Sequence, residues 1–197
     1  MAKQYVITLS RDFASMGRSI AQNLAGRLGC EFYDRDIVEQ AARRMGLPVS
    51  EVADNEEAAH NLFYRRIYPL GMGVKSMQDE IFQVQKNIIL DLASRHSCII
   101  VGRCADEILK DRPDVFNVHI FATKAERLKN CVEKLEMDED TARRTMARVD
   151  KARAGYHRVY GGGDVTANCH IMLNSAKFGI DGTAAVLEGI IRQRFEL

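Results

Sequence analysis

The apolar residues of this chain gather in five short runs, separated by longer stretches in which apolar and polar residues alternate. Short, mostly apolar runs rich in β-branched residues are typical of strands buried in a parallel sheet. The stretches between them carry apolar residues at helical spacing, such as Ile20, Leu24 and Leu28 after the first run. The runs are YVITL, CEFYD, CIIVGR, VFNVHIFAT and CHIMLNS, at residues 5–9, 30–34, 98–103, 115–123 and 169–175. This alternation predicts an α/β fold with a five-stranded parallel sheet flanked by helices.

Further helices are predicted from the amphipathic stretches and their boundary residues. They cover residues 35–47, ended by Gly46; residues 76–96, begun by the cap Ser76; residues 124–136; and residues 179–195. Proline and two glycines interrupt the periodicity at residues 63–73, which predicts a loop. A length of 197 residues without an internal repeat fits a single domain over residues 1–197.

Charge and cysteine content narrow the possible partners. Lysine and arginine number 28 against 27 acidic residues, so the overall charge gives no reason to expect nucleic acid or an acidic membrane surface as a partner. The first residues lack the apolar region of a signal peptide, and no apolar run approaches the roughly 18 residues of a membrane span. We therefore expect a soluble, cytoplasmic protein without a membrane partner. The five cysteines are scattered without a C-x-x-C pair, which favours reduced thiols over a zinc site.

Candidate functional residues follow the predicted strands, because ligands of parallel α/β sheets bind beyond the carboxyl ends of the strands. In the first such loop, "SRDFASMGRS", Gly17 and Ser19 are in register with the phosphate-binding pattern G-x-x-x-x-G-K-[ST]. Arg18 stands at the lysine position and supplies a cation suited to phosphate, while Ser19 supplies a hydroxyl for Mg²⁺. Ala14 and Met16 are not glycines, although a wrapped loop needs conformations that glycine adopts readily. The pattern alone leaves a phosphate loop and an ordinary strand-to-helix turn both open.

Charged residues also follow the second and third runs. Asp34, Arg35 and Asp36 begin a helix, where an acid is also stabilised by the helix dipole alone. Gly102 permits close approach of a ligand, and Arg103 after it can bind a phosphate with two N–H groups. A basic, glycine-punctuated stretch at residues 141–164 precedes the fifth run. As a group its cations suit a lid over phosphates, and singly each fits a solvated helix face.

The sequence assigns no catalytic role to three further residues, and for one of them two interpretations stay open. His119 lies within a predicted strand and is expected to be a hydrogen-bonded structural residue, whereas His157 has no partner that the sequence identifies. Arg127 either opens the lid region or forms an ion pair one turn away in its own helix.

The wider series of motifs resembles a known family. The segments "ITLSRDFASMGRSIA", "FYDRDIVEQAA", "CIIVGRCADEIL", "VFNVHIFATKAERLKN", "DKARAGYHRVYGG" and "CHIMLNSAKFGID", in this order, resemble the cytidylate kinase-like family of P-loop nucleoside monophosphate kinases. The resemblance implies a P-loop NTPase fold that uses ATP and Mg²⁺, with a helical acceptor-binding segment near residues 35–96 and a lid at residues 139–165. Arginine in place of lysine at position 18 is usual in that family, whereas Ala14, Met16 and Cys104 depart from its pattern.

The resemblance also implies roles for individual residues. Those expected to bind the ATP phosphates are Ser10, Arg11, Ala14, Ser15, Met16, Gly17, Arg18, Ser19 and Ile20. Those expected to bind the acceptor nucleotide are Asp34, Arg35, Gly102, Arg103, Asp106 and Tyr156. Ser19 and Asp34 are expected to hold Mg²⁺, and Arg18, Arg103, Arg144, Lys151 and Arg153 to act on the transferring phosphoryl group.

Three functions remain open on the sequence. The first is phosphoryl transfer from ATP to a nucleoside monophosphate, with CMP or dCMP as the first acceptor to test. The second is a small-metabolite kinase of the shikimate type, because "YDRD" resembles the paired acids of that group. The third is a nucleotide-binding regulatory protein without turnover, which the departures at Ala14, Met16 and Cys104 favour. Residues 55–75 and the long helix after them are expected to close over the acceptor or to form a homodimer contact.

Overall fold

A five-stranded parallel sheet forms the centre of the computed structural model, which describes residues 4–52 and 77–197. Its strands are β1 (Val6–Arg11), β2 (Glu31–Tyr33), β3 (Cys98–Val101), β4 (Val115–Phe121) and β5 (Ile171–Asn174). They lie in the order β2-β3-β1-β4-β5, and every strand pair is parallel. Each strand coincides with one of the five apolar runs, so the predicted sheet is confirmed.

Helices connect the strands and cover both faces of the sheet. They are α1 (Gly17–Leu28), α2 (Arg35–Met45), α3 (Met77–Arg95), α4 (Ala105–Ile108), α5 (Lys124–Leu135), α6 (Glu139–Tyr160) and α7 (Ser175–Phe195). Helix α7 starts earlier than the predicted Gly179, whose φ of 66° separates the first turn from the rest. The cap predicted at Ser76, the loop at residues 63–73 and the segment 55–75 lie outside the described residues. Of the helices that the structure describes, none combines the length and the apolar character needed to cross a membrane.

The central strand β1 separates two hydrophobic layers, because successive side chains of a strand point to opposite faces. Ile7 is fully buried in one layer with Leu24 of α1 and Leu187 of α7. Val6 is fully buried in the other layer with Ile89 of α3. The inner strands β1, β3 and β4 are largely buried on both faces, and a strand in that position has a mostly apolar sequence, which made these three recognisable.

A smaller cluster joins α5 and α6 to the loop that follows β1. Cys131 of α5 and Ala142 and Met146 of α6 are buried around Ala14 of that loop. This packing places α6 beside the carboxyl ends of the strands, where the candidate functional residues lie.

Candidate functional site

The loop between β1 and α1 turns through two left-handed residues. Ala14 and Met16 have φ of 59° and 62°, a region that residues other than glycine seldom occupy. Left-handed residues alternating with residues of negative φ form a concave nest of N–H groups that binds anions. In the described part of the chain, no protein group accepts the N–H of Ala14, Met16, Gly17, Arg18 or Ser19. The loop therefore has anion-binding geometry without glycine at positions 14 and 16.

Two residues predicted to bind the donor phosphates instead form hydrogen bonds and packing contacts with other parts of the protein. The hydroxyl of Ser15 donates to the carbonyl of Ile120 at 3.0 Å. The N–H of Ile20 donates to the carbonyl of Met16 at 3.0 Å, and the side chain of Ile20 is completely buried in the core. Ser15 and Ile20 thus shape the loop from within.

Asp34 lies at the centre of an arginine cluster, formed by Arg11, Arg18, Arg103 and Arg153, at the carboxyl edge of the sheet. Its buried carboxylate lies 3.4 Å from Nη2 of Arg11 and 3.3 Å from Nε of Arg18. Arg153 of α6 donates from Nη1 to the main-chain carbonyl of Arg11 at 3.1 Å. The structure therefore brings together Asp34, Arg18 and Arg153, which the sequence placed in three separate segments.

The arginine cluster carries an excess of positive charge. The pKa of Arg11 is lowered to about 9, mainly by burial and also by the nearby Arg153 and Arg103, while the charge of Asp34 opposes the shift. Burial is also the main cause that lowers the pKa of Arg153. Cations that lower one another's pKa repel each other, and an anion bound among them would relieve that repulsion. The cluster is therefore suited to a ligand with several negative charges.

Arg103 lies in the turn after β3, and the backbone of this turn is strained. Gly102, Arg103 and Cys104 are three consecutive left-handed residues, with φ of 76°, 56° and 52°. A Cβ atom at Gly102 would meet Nη1 of Arg11, the end of a side chain that would have to shift, and the φ of 76° itself favours glycine at this position. Strain of this kind is concentrated at functional sites, where the surrounding structure maintains it.

Helix α6 is held against α3 by aromatic side chains. The rings of Tyr160 and Phe82 stack with centroids 4.3 Å apart. The hydroxyl of Tyr156 donates to Oε1 of Gln85 at 3.0 Å. Because α6 also packs on the loop after β1, it covers the carboxyl edge of the sheet.

A cleft of about 460 Å³ lies between the carboxyl edge of the sheet and α6. The predicted site residues that line it are Ser10, Arg11, Gly102, Arg103, Asp106, Arg153 and Tyr156. Arg144 and Lys151 are exposed on another face of α6, outside this lining, and Arg144 donates to the hydroxyl of Thr141 at 3.1 Å. Arg35 is likewise exposed at the start of α2 and lies outside the lining.

A buried histidine–aspartate pair joins the lid to the turn after β3. Nε2 of His157 lies 3.0 Å from Oδ2 of Asp106, and Nδ1 lies 3.1 Å from the carbonyl oxygen of Gly163. Burial alone would lower the pKa of His157, but the hydrogen bond and the charge of Asp106, with smaller effects of Gly163 and Glu107, raise it overall. One oxygen of Asp106, a predicted acceptor contact, is therefore already bound by the protein.

The contribution of this pair to stability should depend on pH. A raised pKa in the folded state means that the stabilisation is complete below the unfolded value of about 6.5 and is lost as the pH rises through the folded value. We expect His157→Gln to lower the free energy of unfolding by about 1 to 2 kcal/mol at pH 6, and by less at pH 9. Urea unfolding at both pH values measures this. Asp106→Asn should show the same trend, and a loss independent of pH in both variants would contradict the assignment.

Of the two interpretations of Arg127, the structure favours the one that links it to residues 141–164, and it adds Asp150, which the sequence analysis did not single out. Arg127 is buried, and its Nη1 lies 2.6 Å from Oδ2 of Asp150 in α6, so its main partner is not one turn away in its own helix. Oδ1 of Asp150 accepts the N–H of Phe13 at 2.9 Å. One feature of the sequence could have drawn attention to Asp150: it is the single acidic residue between Thr141 and Arg158.

His119 is hydrogen-bonded, as predicted, and it also lines the cleft. The hydroxyl of Ser10 lies 2.8 Å from its Nδ1, and Oδ1 of Asp12 lies 3.7 Å from its Nε2. The pairing of β1 with β4 brings these groups together, and a neighbour across the sheet leaves no signal in the local sequence.

The fold is of the P-loop, kinase-like type. It combines a parallel sheet, an open nest of N–H groups after the central strand, cations at the strand ends and a helix that covers the cleft. The chain belongs to the cytidylate kinase-like family, whose model matches residues 6–177. Both the family and the fold class predicted from the sequence are confirmed.

Solved structures share this fold over nearly the whole chain. A protein from Eubacterium ventriosum ATCC 27560 is 25% identical with a TM-score of 0.71, covering 95% of this chain and 98% of its own. The shikimate kinase from Acinetobacter baumannii, in complex with shikimate, is 14% identical with a TM-score of 0.53, covering 98% and 95%. The shikimate kinase from Bacteroides thetaiotaomicron is 11% identical with a TM-score of 0.55, covering 96% and 99%. At these identities the two shikimate kinases show a common fold alone. No curated protein matches the chain.

Proposed function

We propose that this protein transfers a phosphoryl group from ATP to a nucleoside monophosphate, with CMP or dCMP as the first acceptor. The observation that carries the proposal is the convergence of Arg11, Arg18 and Arg153 around Asp34, directly beside the open N–H groups of the loop after β1. Such an arrangement is suited to binding two phosphate groups close together. The membership of the cytidylate kinase-like family supports a nucleotide as the acceptor.

The chemistry of this transfer needs positioning and charge rather than a base. The attacking oxygen of a nucleoside monophosphate is already anionic at neutral pH, so no proton has to be removed from it. The N–H groups of the loop and Arg18 would hold the donor phosphates, while Arg103 and Arg153 would screen the repulsion between donor and acceptor. The packed lid α6 would exclude water, which would otherwise compete as the acceptor.

The residues present also fit a magnesium ion that arrives with the nucleotide. Mg²⁺ binds through one or two protein oxygens together with phosphate oxygens and water. The hydroxyl of Ser19, exposed in the first turn of α1, and the carboxylate of Asp34, beside Arg18, are the oxygen atoms that would bind the ion. The ion would supply further neutralisation of charge on the phosphates.

This geometry supports the two alternative functions less well. A kinase of the shikimate type uses a hydroxyl acceptor, which loses a proton during transfer. Asp34 is already bound by two guanidinium groups, which favours holding cations over accepting a proton. A regulatory protein without turnover was suggested by Ala14, Met16 and Cys104. Ala14 and Met16 nevertheless adopt the left-handed conformation that a binding loop needs, so the absence of glycine at these two positions is no argument for a loss of turnover.

An acceptor panel with ATP and Mg²⁺, read out as ADP release, tests the proposal. We expect CMP or dCMP to give a rate at least about tenfold above shikimate and above other nucleoside monophosphates. Turnover of shikimate alone would support the metabolite kinase instead. If ATP raises the melting temperature while no acceptor is phosphorylated, the regulatory function is the correct one.

A further inference from the structure

The backbone of the loop after β1 is held in an unfavourable conformation. Ala14 and Met16 both have left-handed φ, in which the Cβ atom crowds the following carbonyl oxygen and which glycine alone adopts readily. If either residue relaxed to negative φ, the N–H groups of the nest would no longer converge. Contacts from elsewhere in the protein must therefore stabilise this conformation.

Two carbonyl groups of the loop are bound by side chains from other helices. Nδ2 of Asn130 in α5 donates to the carbonyl of Ala14 at 2.9 Å. The hydroxyl of Ser175, at the start of α7, donates to the carbonyl of Ser15 at 2.7 Å. Ser175 is 4% exposed, so water competes little for this hydrogen bond.

Phe13, at the entrance of the loop, is bound on both of its main-chain groups. Its carbonyl accepts from Nη1 of Arg127 at 3.3 Å, and its N–H donates to Oδ1 of Asp150 at 2.9 Å. Arg127 also donates to Oδ2 of Asp150 at 2.6 Å. The lid helix α6, through Asp150, thus takes part in fixing the loop.

The direction of these hydrogen bonds determines where the open N–H groups point. A planar trans peptide directs its C=O and its N–H to opposite sides. Anchoring the carbonyl of Phe13 therefore directs the N–H of Ala14 the other way, and anchoring the carbonyl of Ser15 does the same for Met16. These are two of the N–H groups that have no acceptor in the described part of the chain.

We infer that the loop clamp, defined as Arg127, Asn130, Asp150 and Ser175, holds the glycine-poor loop in its anion-binding form. The four side chains are positioning residues: they act on the ligand through the backbone of the loop. The inference rests on the proposed function in taking ATP as the natural ligand. It explains how the loop keeps its shape where Ala14 and Met16 replace the expected glycines.

The test combines removal of the clamp with restoration of glycine. Asn130→Ala and Ser175→Ala should each weaken binding of ATP with Mg²⁺ by about three- to tenfold, the equivalent of one lost hydrogen bond, measured by isothermal titration calorimetry. Adding Ala14→Gly to Asn130→Ala should return the Kd to within about twofold of the wild-type value, because glycine needs no clamp in this conformation. A purely structural role of Asn130 would not be rescued by a glycine in the loop.

Two matched controls remove the same chemical groups elsewhere. Asn23 donates from Nδ2 to Asp181 at 2.7 Å, and Ser94 donates to the carbonyl of Asp91 at 2.7 Å. Asn23→Ala and Ser94→Ala should leave the Kd for ATP unchanged. The melting temperature of every variant identifies any that fails to fold, and Ser175→Ala provides a second test if Asn130→Ala does.

The result can separate this inference from the proposed function. Inorganic pyrophosphate is titrated beside ATP as a second probe. If no acceptor is phosphorylated but the clamp variants weaken pyrophosphate binding and Ala14→Gly restores it, the inference holds and the kinase proposal fails. Wild-type Kd values in both clamp variants, a loss that Ala14→Gly does not restore, or no binding of either probe to the wild type would each overturn the inference.

Discussion

Replacing Arg18 by alanine is expected to lower kcat/KM for ADP formation by about 10³-fold. Arg18 stands in the first turn of α1, beside the open N–H groups, with Nε 3.3 Å from the carboxylate of Asp34. A cation at this point stabilises charge on the donor phosphates that develops during transfer. Because its side chain is 56% exposed, the free energy of unfolding should change by less than about 0.5 kcal/mol.

A coupled ADP assay and a melting curve measure the two effects of Arg18→Ala separately. Arg18→Lys should recover much of the rate, because it restores the charge without the planar geometry of the guanidinium group. Arg27→Ala is the matched control, since Arg27 is a partly exposed arginine at the other end of α1, paired with Glu188. If Arg18→Ala turned over at the wild-type rate, the loop after β1 would have no part in the reaction.

Replacing Asp34 by asparagine is expected to impair both stability and activity. Asp34 is 5% exposed and its carboxylate lies between Arg11 and Arg18. The substitution would leave the guanidinium group of Arg11 buried without its counter-charge, which should lower the free energy of unfolding by about 2 to 4 kcal/mol. The rate of ADP formation should fall by about 100-fold or more, because the arginines lose their common partner and Mg²⁺ loses its proposed carboxylate ligand.

Asp36→Asn provides the comparison for this second prediction. Asp36 is exposed in the first turn of α2, two residues from Asp34, so its substitution should change stability by no more than about 0.5 kcal/mol. Urea denaturation and initial rates at saturating ATP give the two quantities. An Asp34→Asn variant as stable and as active as Asp36→Asn would show that the arginine cluster does not depend on this carboxylate.

Features that are determined by local sequence were predictable. The inner strands β1, β3 and β4 are largely buried on both faces, so their residues are mostly apolar and stand out in the sequence. The edge strands β2 and β5 are only partly buried, but they are short runs next to helix signals. The parallel topology then places every carboxyl end at one edge of the sheet. That rule is why Asp34 and Arg103, far apart in the sequence, could be assigned to one site with the loop at residues 10–19.

The side of the lid that faces the cleft was harder to predict. The basic residues of the stretch 141–164 were treated as one group, but a helix presents only some of them to the sheet. Ala142, Met146, Asp150 and Arg153 follow one another at spacings of three or four and lie on the inner face. Arg144 and Lys151 fall outside that spacing and are exposed.

Contacts between distant segments could not be predicted at all. The sequence shows that Ala14 and Met16 replace glycine, but not whether other groups stabilise a left-handed backbone at these positions. Those groups lie more than 100 residues away, as Asn130 does from Ala14 and Asp150 does from Phe13. The partner of His157 was hidden for the same reason, since Asp106 precedes it by 51 residues.

The arginine cluster also affects how the protein responds to its solution. Its members come from β1, α1, the turn after β3 and α6, so these like charges approach one another only when the chain has folded. Dissolved anions that bind the native cluster therefore shift the folding equilibrium by mass action, by about 2.7 kcal/mol at a concentration one hundred times the Kd. The thermal stability of this protein should accordingly depend on the oligophosphates present in its buffer, and in a cell on the supply of nucleotides.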